Sequence, residues 1–395
     1  MKVVRLKKGR EASLLRRHPW VFSGAIEAVE GGPESGDSVL VVSHDRQVLG
    51  TGAYSPQSQI RVRLFCFHEC EINKEYLALV VAEAIARRKH LQNDPERDAF
   101  RLVFGESDLL PGLIVDRYRD FLVCQFQSTG MERWKPELVQ VLAELTGCRG
   151  IYERSESAAR KREGLAAAEG VLYGDSPPES LLVREYGLHL EVDIVTGQKT
   201  GAYLDQAENR RLIRPYCSGG EVLNCFSYSG AFSMAALQAG ATRVTSVDSS
   251  GPALKLLQRN LQHSQSAAER HTSVEARVGD LLRDWQKQNR KVELVILDPP
   301  KFADHKSHVI KASRAYKDLS LQAVKLIRPG GHLVTFSCSG AIDLKLFQKI
   351  TADAFLDAGV QGEIVQYLHQ SPDHPVALTF PESQYLKGLV CRVTG

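Results

Sequence analysis

The second half of the chain alternates between short apolar runs and amphipathic stretches, and this alternation limits the possible fold most. From about residue 186, five runs have the composition of strands, and helical patterns separate them. In chain order the runs are EVLNCFS, RVTSVD, SVEARVG, VELVILD and HLVTFSCS. Strands that alternate with helices form parallel sheets covered on both faces. We therefore predict a doubly wound α/β domain over residues 186–395, with EIVQYLHQ and YLKGLVCRV as additional edge strands.

Two smaller blocks precede this domain. Residues 1–75 contain short alternating runs separated by the turn signals GGPESGD and SPQS, which is the pattern of a small antiparallel β domain. Residues 76–185 contain strands around the Leu-Pro-Gly turn at 110–112 and an amphipathic helix at 134–147, and a helical stretch at 75–91 leads into them. We predict that they form a central α/β domain, so the chain as a whole belongs to the α/β class with three domains.

Composition excludes several classes of protein. Of the 395 residues, 43% are hydrophobic and 25% are charged, which rules out disordered and low-complexity chains. No apolar run approaches the roughly 18 residues that a membrane span needs. The start MKVVRLKKGREASLL leads into no apolar segment of a secretory signal, so we expect a cytoplasmic protein without a membrane partner.

The eight cysteines contain no Cys-x-x-Cys pair, and in a reducing cytosol we expect most of them to be free thiols. Cys66 and Cys70 flank His68, which hints at a metal site. No second pair of ligands follows at zinc spacing, so we expect no bound metal.

Basic residues are clustered rather than spread evenly. The first twenty residues carry seven Lys and Arg against one acid, and Lys7, Lys8, Arg16 and Arg17 are the candidates for contacts with a polyanion. A second basic stretch begins at Lys301 and ends near residue 317. The alternative interpretation of either cluster is a solvated face without a partner.

The residues that follow the predicted strands are polar or small. In an open α/β sheet, ligands bind outside the carboxyl ends of the strands. The segments there are NCFSYSG at 224–230, Asp248, Gly279-Asp280, DPPKF at 298–302 and Ser337-Cys338-Ser339. A dinucleotide site needs G-x-G-x-x-G in the first of these segments, which has the single glycine Gly230. Taken singly, an Asp is often a helix cap and a Cys is often core filler, but their occurrence at successive strand ends indicates a site.

These strand ends resemble a class I methyltransferase that uses S-adenosyl-L-methionine. The resemblance implies a role for each residue. Asn224, Phe226, Tyr228 and Gly230 would line the methionine part, Asp248 would hold the ribose, Asp280 would face the adenine amino group, and Asp298 would flank the methyl donor. The segment TGQKTGAYLDQ at 196–206, with Tyr203 and Gln206, resembles the part that closes over the cofactor.

The whole chain resembles the bacterial 23S ribosomal RNA large-subunit methyltransferase I family, which makes 5-methylcytosine. The motifs that carry this resemblance are RRHPWVFSGAI, GAYSPQSQIRVR, GESDLLPGLIVDR, TGQKTGAYLDQ, LNCFSYSGAF, LDPPKF, FSCSG and YLKGLVCRV. The family implies an N-terminal PUA domain that binds RNA, a central α/β domain and a C-terminal methyltransferase. It also implies that 23S ribosomal RNA or the assembling large subunit is the partner and that the cytosine numbered 1962 is the target, and it is compatible with a homodimer.

Methylation of cytosine at C5 explains the need for a cysteine. C5 is a poor nucleophile until a thiolate adds to C6, so Cys338 is the expected nucleophile. Asp298 is expected to hydrogen-bond the N3 side of the base, either protonated or opposite a protonated N3. Many RNA 5-methylcytosine enzymes carry a second cysteine after the Pro-Pro, where this chain has Lys301. That lysine contacts a phosphate, stabilises the thiolate or is simply solvated.

Three other interpretations remain open at this point. Asp-Pro-Pro followed by an aromatic residue occurs in amino-group methylation, although here Lys301 precedes Phe302. A ribosome-assembly factor with an inactive cofactor fold is the second, and a nicotinamide oxidoreductase is the third. In the N-terminal domain, Trp20 and Phe22 either stack on RNA bases or pack in the core.

Overall fold

The computed structural model of the chain describes residues 2–156, 158–263, 268–303 and 305–394. Within these residues the chain forms two compact units. The first contains residues 1–183, 192–204 and 373–383, and the second contains residues 184–191, 205–372 and 384–395.

The first unit begins with a sheet of six strands. In chain order they are β1 Val3–Leu6, β2 Trp20–Phe22, β3 Ile26–Glu30, β4 Ser38–Val42, β5 Val48–Tyr54 and β6 Ile60–Cys66, and their order in the sheet is β2-β6-β5-β4-β1-β3. The prediction of a purely antiparallel domain is wrong in one place, because β1 pairs with β4 in parallel. A parallel pair joins segments that are distant in sequence, so local alternation does not reveal it.

A second sheet and several helices complete the first unit. The strands are β7 Ala99–Phe104, β8 Leu113–Tyr118, β9 Phe121–Phe126, β10 Gly150–Ser155 and β11 Ala168–Gly174, in the order β11-β10-β9-β8-β7. The helices are α1 Ala12–Leu15, α2 Lys74–Arg87, α3 Lys89–Gln92, α4 Thr129–Arg133, α5 Lys135–Thr146 and α6 Ala158–Arg162. The helix predicted at 75–91 begins at the cap Asn73, whose side chain accepts from Tyr76 N at 2.9 Å, and breaks at Arg88.

The second unit contains the predicted doubly wound sheet. Its strands are β14 Glu221–Cys225, β15 Arg243–Asp248, β16 His271–Glu275, β17 Val292–Leu297, β18 Ile327–Ser337, β19 Gly362–His369 and β20 Lys387–Val393. A pair of strands, β12 Leu181–Glu185 and β13 Leu188–Val192, precedes them in the chain. The order is β16-β15-β14-β17-β18-β20-β19, and the first five strands run parallel.

Only one of the two C-terminal runs is an edge strand. β20 lies between β18 and β19 and is antiparallel to both, whereas β19 forms the edge. All but one of the residues of β20 are buried, as expected of an interior strand.

Six helices alternate with the strands of the second unit or pack on the sheet. They are α7 Ala207–Leu212, α8 Ala231–Gln238, α9 Gly251–Gln262, α10 Val278–Lys287, α11 Val309–Val324 and α12 Leu344–Ala358. Leu223, Val295 and Leu333 of the strands share one buried core with Tyr316 and Phe347 of the helices. Among the described residues, no helix combines the length and the hydropathy required to span a membrane.

The third predicted strand is shorter than its sequence indicates. β16 ends at Glu275, which pairs with Asp248. The next turn starts α10, and Asp280 lies in the first turn of that helix, not at a strand end. The apolar spacing explains the difference, because Val278, Leu281, Leu282 and Trp285 recur with the helical period and are buried.

Cys66 and Cys70 are joined by a disulfide at the end of β6, and the other six cysteines are free thiols. The sulfur atoms and a ring nitrogen of His68 lie within 4.8 Å of one another. The expectation of mostly free thiols holds for these six.

Candidate functional site

The carboxyl ends of four neighbouring parallel strands bring the candidate residues of the second unit to one edge of the sheet. Cys225 pairs with Val247 of β15 and with Leu297 of β17, and Leu297 pairs with Thr335 of β18. The residues that follow these strands therefore lie side by side. This edge is where an open α/β sheet binds ligands.

The loop after β14 has an unusual backbone. Phe226 and Tyr228 both adopt the left-handed region, with φ of 58° and 45°, which side chains other than glycine rarely occupy. Such backbone strain is concentrated at functional sites. Gly230 also has a positive φ of 80°, and a Cβ there would come within 2.5 Å of Leu257 Cγ. Only glycine can therefore join this loop to α8 at this distance.

Asn224 lies inside β14 rather than in the loop. It is buried, and its Nδ2 donates to Ser233 Oγ at 2.8 Å. Ser233 in turn contacts Ser246, which contacts His271, so the amide belongs to a buried polar chain that crosses the sheet. Burial lowers the pKa of His271 to about 4, and that imidazole is neutral.

Asp248 ends β15 and fixes the loop beside it. Its two carboxylate oxygens accept from Tyr228 N and from Ser250 N, each at 2.9 Å. A carboxylate has about four acceptor positions, so two backbone donors leave capacity for further hydrogen bonds. The side chain is half-buried at the edge of the sheet, which is compatible with the predicted contact to ribose.

A cleft of about 370 Å³ opens between the loop after β14 and the start of α10. Phe226, Ser249, Asp280 and Phe302 are among the residues that line it. The carboxylate of Asp280 is exposed and lies 3.8 Å from both Arg277 and Arg283. The cleft thus combines two aromatic faces with a carboxylate at its opening, which are the groups that recognise a flat nitrogen heterocycle.

Asp298 follows β17 and contacts the carboxamide of Gln206. Gln206 Nε2 donates to Asp298 Oδ2 at 3.0 Å, while Gln206 Oε1 accepts from Asn209 Nδ2 at 2.6 Å. Both amide residues are buried, so their orientation is fixed by these contacts. Gln206 therefore holds the Asp298 carboxylate, and its contact with the cofactor stays a prediction.

Cys338 lies in a turn that side chains hold from several directions. The buried Ser339 Oγ accepts from Ala303 N at 3.2 Å and lies 3.1 Å from the hydroxyl of Tyr316 on α11. Ser339 N donates to Ser337 Oγ at 3.3 Å. These contacts join the residues beside Cys338 to Ala303, in the segment that follows Asp298, and to Tyr316 of α11.

Cys338 differs from the other free cysteines in its exposure. Cys124, Cys148, Cys217, Cys225 and Cys391 are buried, and Cys338 is partly exposed. Burial raises the pKa of the Cys217 and Cys391 thiols to about 12, which keeps them protonated at neutral pH. Of the free cysteines in the described residues, Cys338 is therefore the one available to a substrate.

One further residue at this site was not predicted. Lys387, the first residue of β20, pairs with Ser337 and is buried, with a relative exposure of 4%. Its Nζ donates to the carbonyl oxygens of Ser339 and Tyr385, both at 2.8 Å. A lysine in the mostly apolar run YLKGLVCRV, whose other charged residue is Arg392, was the signal available in the sequence.

The predicted RNA contacts of the first unit are all exposed. They are Lys7, Lys8, Arg16 and Arg17. Lys7 Nζ donates to Gly24 O at 3.1 Å, and Arg17 lies over the ring of Phe67. In the same unit, Trp20 Nε1 donates to Glu106 at 2.7 Å and its ring contacts Phe380, whereas Phe22 is half exposed.

Two other predicted residues are Lys301 and Tyr203. Lys301 is exposed in the loop after β17. Tyr203 belongs to the first unit, where its hydroxyl donates to Gln198 Oε1 at 2.6 Å and Lys199 Nζ lies 4.3 Å from its ring centre. Its contact with the cofactor stays a prediction.

Comparison with known proteins decides the family. Residues 158–378 match the family described as S-adenosylmethionine-dependent methyltransferase, and residues 4–67 match a PUA-like domain. A Shewanella denitrificans protein named ribosomal RNA large subunit methyltransferase I is 46% identical over 99% of each chain. A Tolumonas auensis protein of the same name is 46% identical over 98% of each chain. The chain belongs to the ribosomal RNA large subunit methyltransferase I family.

A solved structure supports the fold of this family member. The chain superposes on a Streptococcus mutans protein, described as a SAM-dependent methyltransferase, with a TM-score of 0.86 and 23% identity over the full length of both chains. The expected fold class, with a PUA-like domain and a methyltransferase domain, is confirmed.

S-adenosyl-L-methionine is the cofactor of this family, and the residues of the second unit fit it. Ser227 Oγ, in the strained loop after β14, is buried and has no hydrogen-bond partner among the described residues. A buried hydroxyl without a partner is costly, and a polar ligand at the loop would satisfy it. The cleft lined by Phe226 and Phe302 has room for an aromatic base, and Asp248 has acceptor capacity for a ribose.

Proposed function

We propose that this protein methylates C5 of a cytosine in 23S ribosomal RNA through a covalent adduct of Cys338. The observation that carries the proposal is the partly exposed thiol of Cys338, which is not in a disulfide and follows β18, beside the strand that Asp298 follows. A methyltransferase that modifies an amino group has no use for a nucleophile in this place.

The thiolate solves the main difficulty of the reaction. Addition of the Cys338 sulfur to C6 forms a C–S bond and makes C5 an enamine carbon, which is nucleophilic. The bound S-adenosyl-L-methionine supplies the methyl group as an activated sulfonium. Transfer of the C5 proton to a base other than a second cysteine then expels the thiolate and restores the C5–C6 double bond, so the cysteine is regenerated.

Asp298 orients the base and stabilises charge on it. Because Gln206 donates to Asp298 Oδ2, that oxygen acts as an acceptor. A hydrogen bond between the Asp298 carboxyl group and N3, with the shared proton on either atom, would offset the negative charge that addition of the thiolate places on the ring. The buried Gln206–Asn209 pair keeps the carboxylate in that orientation without substrate.

The substrate assignment rests on the relatives and on the N-terminal residues. The named relatives act on large-subunit ribosomal RNA, and we propose the same substrate for this chain, with the cytosine numbered 1962 as the target. The PUA-like domain with its exposed basic residues would contact phosphates in the cytoplasm, on free RNA or on the assembling subunit. The target base must be unstacked, because a stacked base cannot reach a pocket at the strand ends.

A covalent trap tests the proposal. RNA carrying 5-fluorocytosine at the target is incubated with the protein and S-adenosyl-L-methionine, and adducts are mapped by mass spectrometry. Fluorine cannot leave as a cation, so after methyl transfer the elimination stalls and Cys338 stays bonded to C6. We expect the adduct on the Cys338 peptide. Methylation of an exocyclic amino group without an adduct would reject the proposal, as would an adduct on another cysteine.

A further inference from the structure

Lys387 is a buried cation without a carboxylate partner among the described residues. Its Nζ is held by two backbone carbonyls, one of which belongs to Ser339, the residue directly after Cys338. Buried lysines are rare unless they are paired, because desolvation of an ammonium is expensive. Two carbonyls compensate only part of that cost, so the position of this charge calls for an explanation.

The charged groups around Lys387 come from several elements. Asp343 at the start of α12 and Lys301 after β17 act on it with opposite signs. His369 of β19 pairs with it across the sheet, and Tyr316 of α11 contacts the hydroxyl of Ser339, whose carbonyl oxygen accepts from Lys387. None of these groups forms an ion pair with Lys387 within the described part of the chain.

Among the groups at this edge of the sheet, the ionised form of the Cys338 thiol is the one that a fixed cation would stabilise most. We propose that the Lys387 ammonium is the electrostatic partner of the Cys338 thiolate and positions the turn that carries it. The proposal deepens the proposed function and rests on it for its catalytic meaning. Lys387 is thus a positioning residue that acts through Cys338.

The proton balance of the pair supports this assignment. Burial lowers the pKa of Lys387 to about 8, and a negative charge on Cys338 opposes that effect. By reciprocity, the ammonium favours ionisation of the thiol to the same extent. The thiol proton leaves to solvent, Lys387 keeps its own proton at neutral pH, and a thiolate–ammonium pair remains. Lysine beside a thiol is a general means of making a cysteine reactive.

The test measures how the reactivity of the Cys338 thiol depends on pH, and it does not depend on methyl transfer. The full-length protein is alkylated with iodoacetamide between pH 5.5 and 10, and the rate at the Cys338 peptide is followed by mass spectrometry. The midpoint of this profile reports ionisation of the thiol, and the limiting rate at high pH reports its accessibility. A purely structural role of Lys387 would change the limiting rate but not the midpoint.

We expect a midpoint below the ordinary value of about 8.5 in the native protein. In Lys387→Met the midpoint should rise by at least about one pH unit, and in Lys387→Arg it should stay close to the native value. The matched control is Arg392→Met, which removes an exposed cation of the same strand that pairs with Glu363. Its midpoint should not move.

Two results would overturn the proposal. One is an unchanged midpoint in Lys387→Met while that variant still binds S-adenosyl-L-methionine. The other is a native midpoint at or above about 8.5, which decides the matter even if the variants do not fold. Failure of the proposed function is visible separately, because Cys338→Ala would then still methylate RNA whatever the midpoints are.

Discussion

The basic residues in the loops of the N-terminal domain and the strand-end residues of the second unit differ in how the structure holds them. Lys7, Lys8, Arg16 and Arg17 are all exposed. Asp298 and Cys338 are each fixed by a network that includes buried side chains such as Gln206 and Ser339. Both groups were predicted from the sequence as candidate sites, but their physical environments are opposite.

This difference teaches which kind of effect each group can have. Exposed charges interact weakly one by one, are screened by salt and act through their number. A group that is fixed at a partly buried edge of the sheet is screened less by water, so its single interaction with a ligand can be strong. Substitution should therefore produce large single-residue effects at the strand ends. In the basic loops of the N-terminal domain, the effects should be additive and should depend on salt.

The largest effect is expected for Cys338→Ala. Removing the nucleophile should lower the rate of methyl transfer to ribosomal RNA at least about a thousandfold, because the uncatalysed attack from C5 is unfavourable. Binding of S-adenosyl-L-methionine, measured by calorimetry, should persist. The control is Cys391→Ala, which removes a buried thiol of β20 and should retain methyl transfer. If Cys338→Ala transfers methyl groups at nearly the native rate, the expectation of large single-residue effects at the strand ends is wrong.

A smaller effect is expected for Asp248→Ala. Charge-assisted hydrogen bonds contribute about 1.5–3 kcal/mol each, so loss of the ribose contact should weaken S-adenosyl-L-methionine binding more than tenfold. The matched control is Asp284→Ala, an exposed carboxylate on α10 whose one ion pair among the described residues is with Lys287. Calorimetric titration of both variants measures the difference. If Asp248→Ala and Asp284→Ala bind S-adenosyl-L-methionine with the same affinity, the ribose contact belongs to another residue.

The smallest effects of single substitutions are expected for the basic residues in the N-terminal loops, so four of them are changed together. Replacement of Lys7, Lys8, Arg16 and Arg17 by Ala should flatten the slope of log K against log salt by up to about 3, since fewer counterions are released. Cofactor binding should not change. A control with Lys255, Lys287, Lys345 and Lys349 replaced removes four exposed lysines of other helices. If both quadruple variants have the same slope, the N-terminal cluster is merely solvated.

Much of the fold could be predicted because its signals are local. The strands around Leu223 and Val295 are short apolar runs, and the helices between them have apolar residues at helical spacing. The pairing of β1 with β4 and the insertion of β20 between β18 and β19 depend on segments distant in sequence. Such pairings leave no periodic trace, so the sequence alone could not establish them.

The site shows the same division. Asp298 and Cys338 were predictable because each follows directly after an apolar strand. Lys387 comes about fifty residues after Cys338, and only the antiparallel return of β20 brings it to Ser339. Asp280 was misplaced because Val278 fits both an alternating strand and the first turn of a helix.

The buried ammonium of Lys387 also has a cost for the stability of the whole protein. In the unfolded chain this group has its ordinary pKa of about 10.4, whereas burial lowers the pKa of Lys387 to about 8 in the native protein. Below pH 8 both states carry the proton, and the native state loses about 3 kcal/mol of its free energy of unfolding. Between about pH 8 and 10.4 only the unfolded state stays protonated, so this penalty fades as the pH rises. Typical domains are stable by only about 5–15 kcal/mol. At neutral pH the buried ammonium would therefore lower the free energy of unfolding by a substantial fraction, as the cost of a more reactive Cys338 thiol.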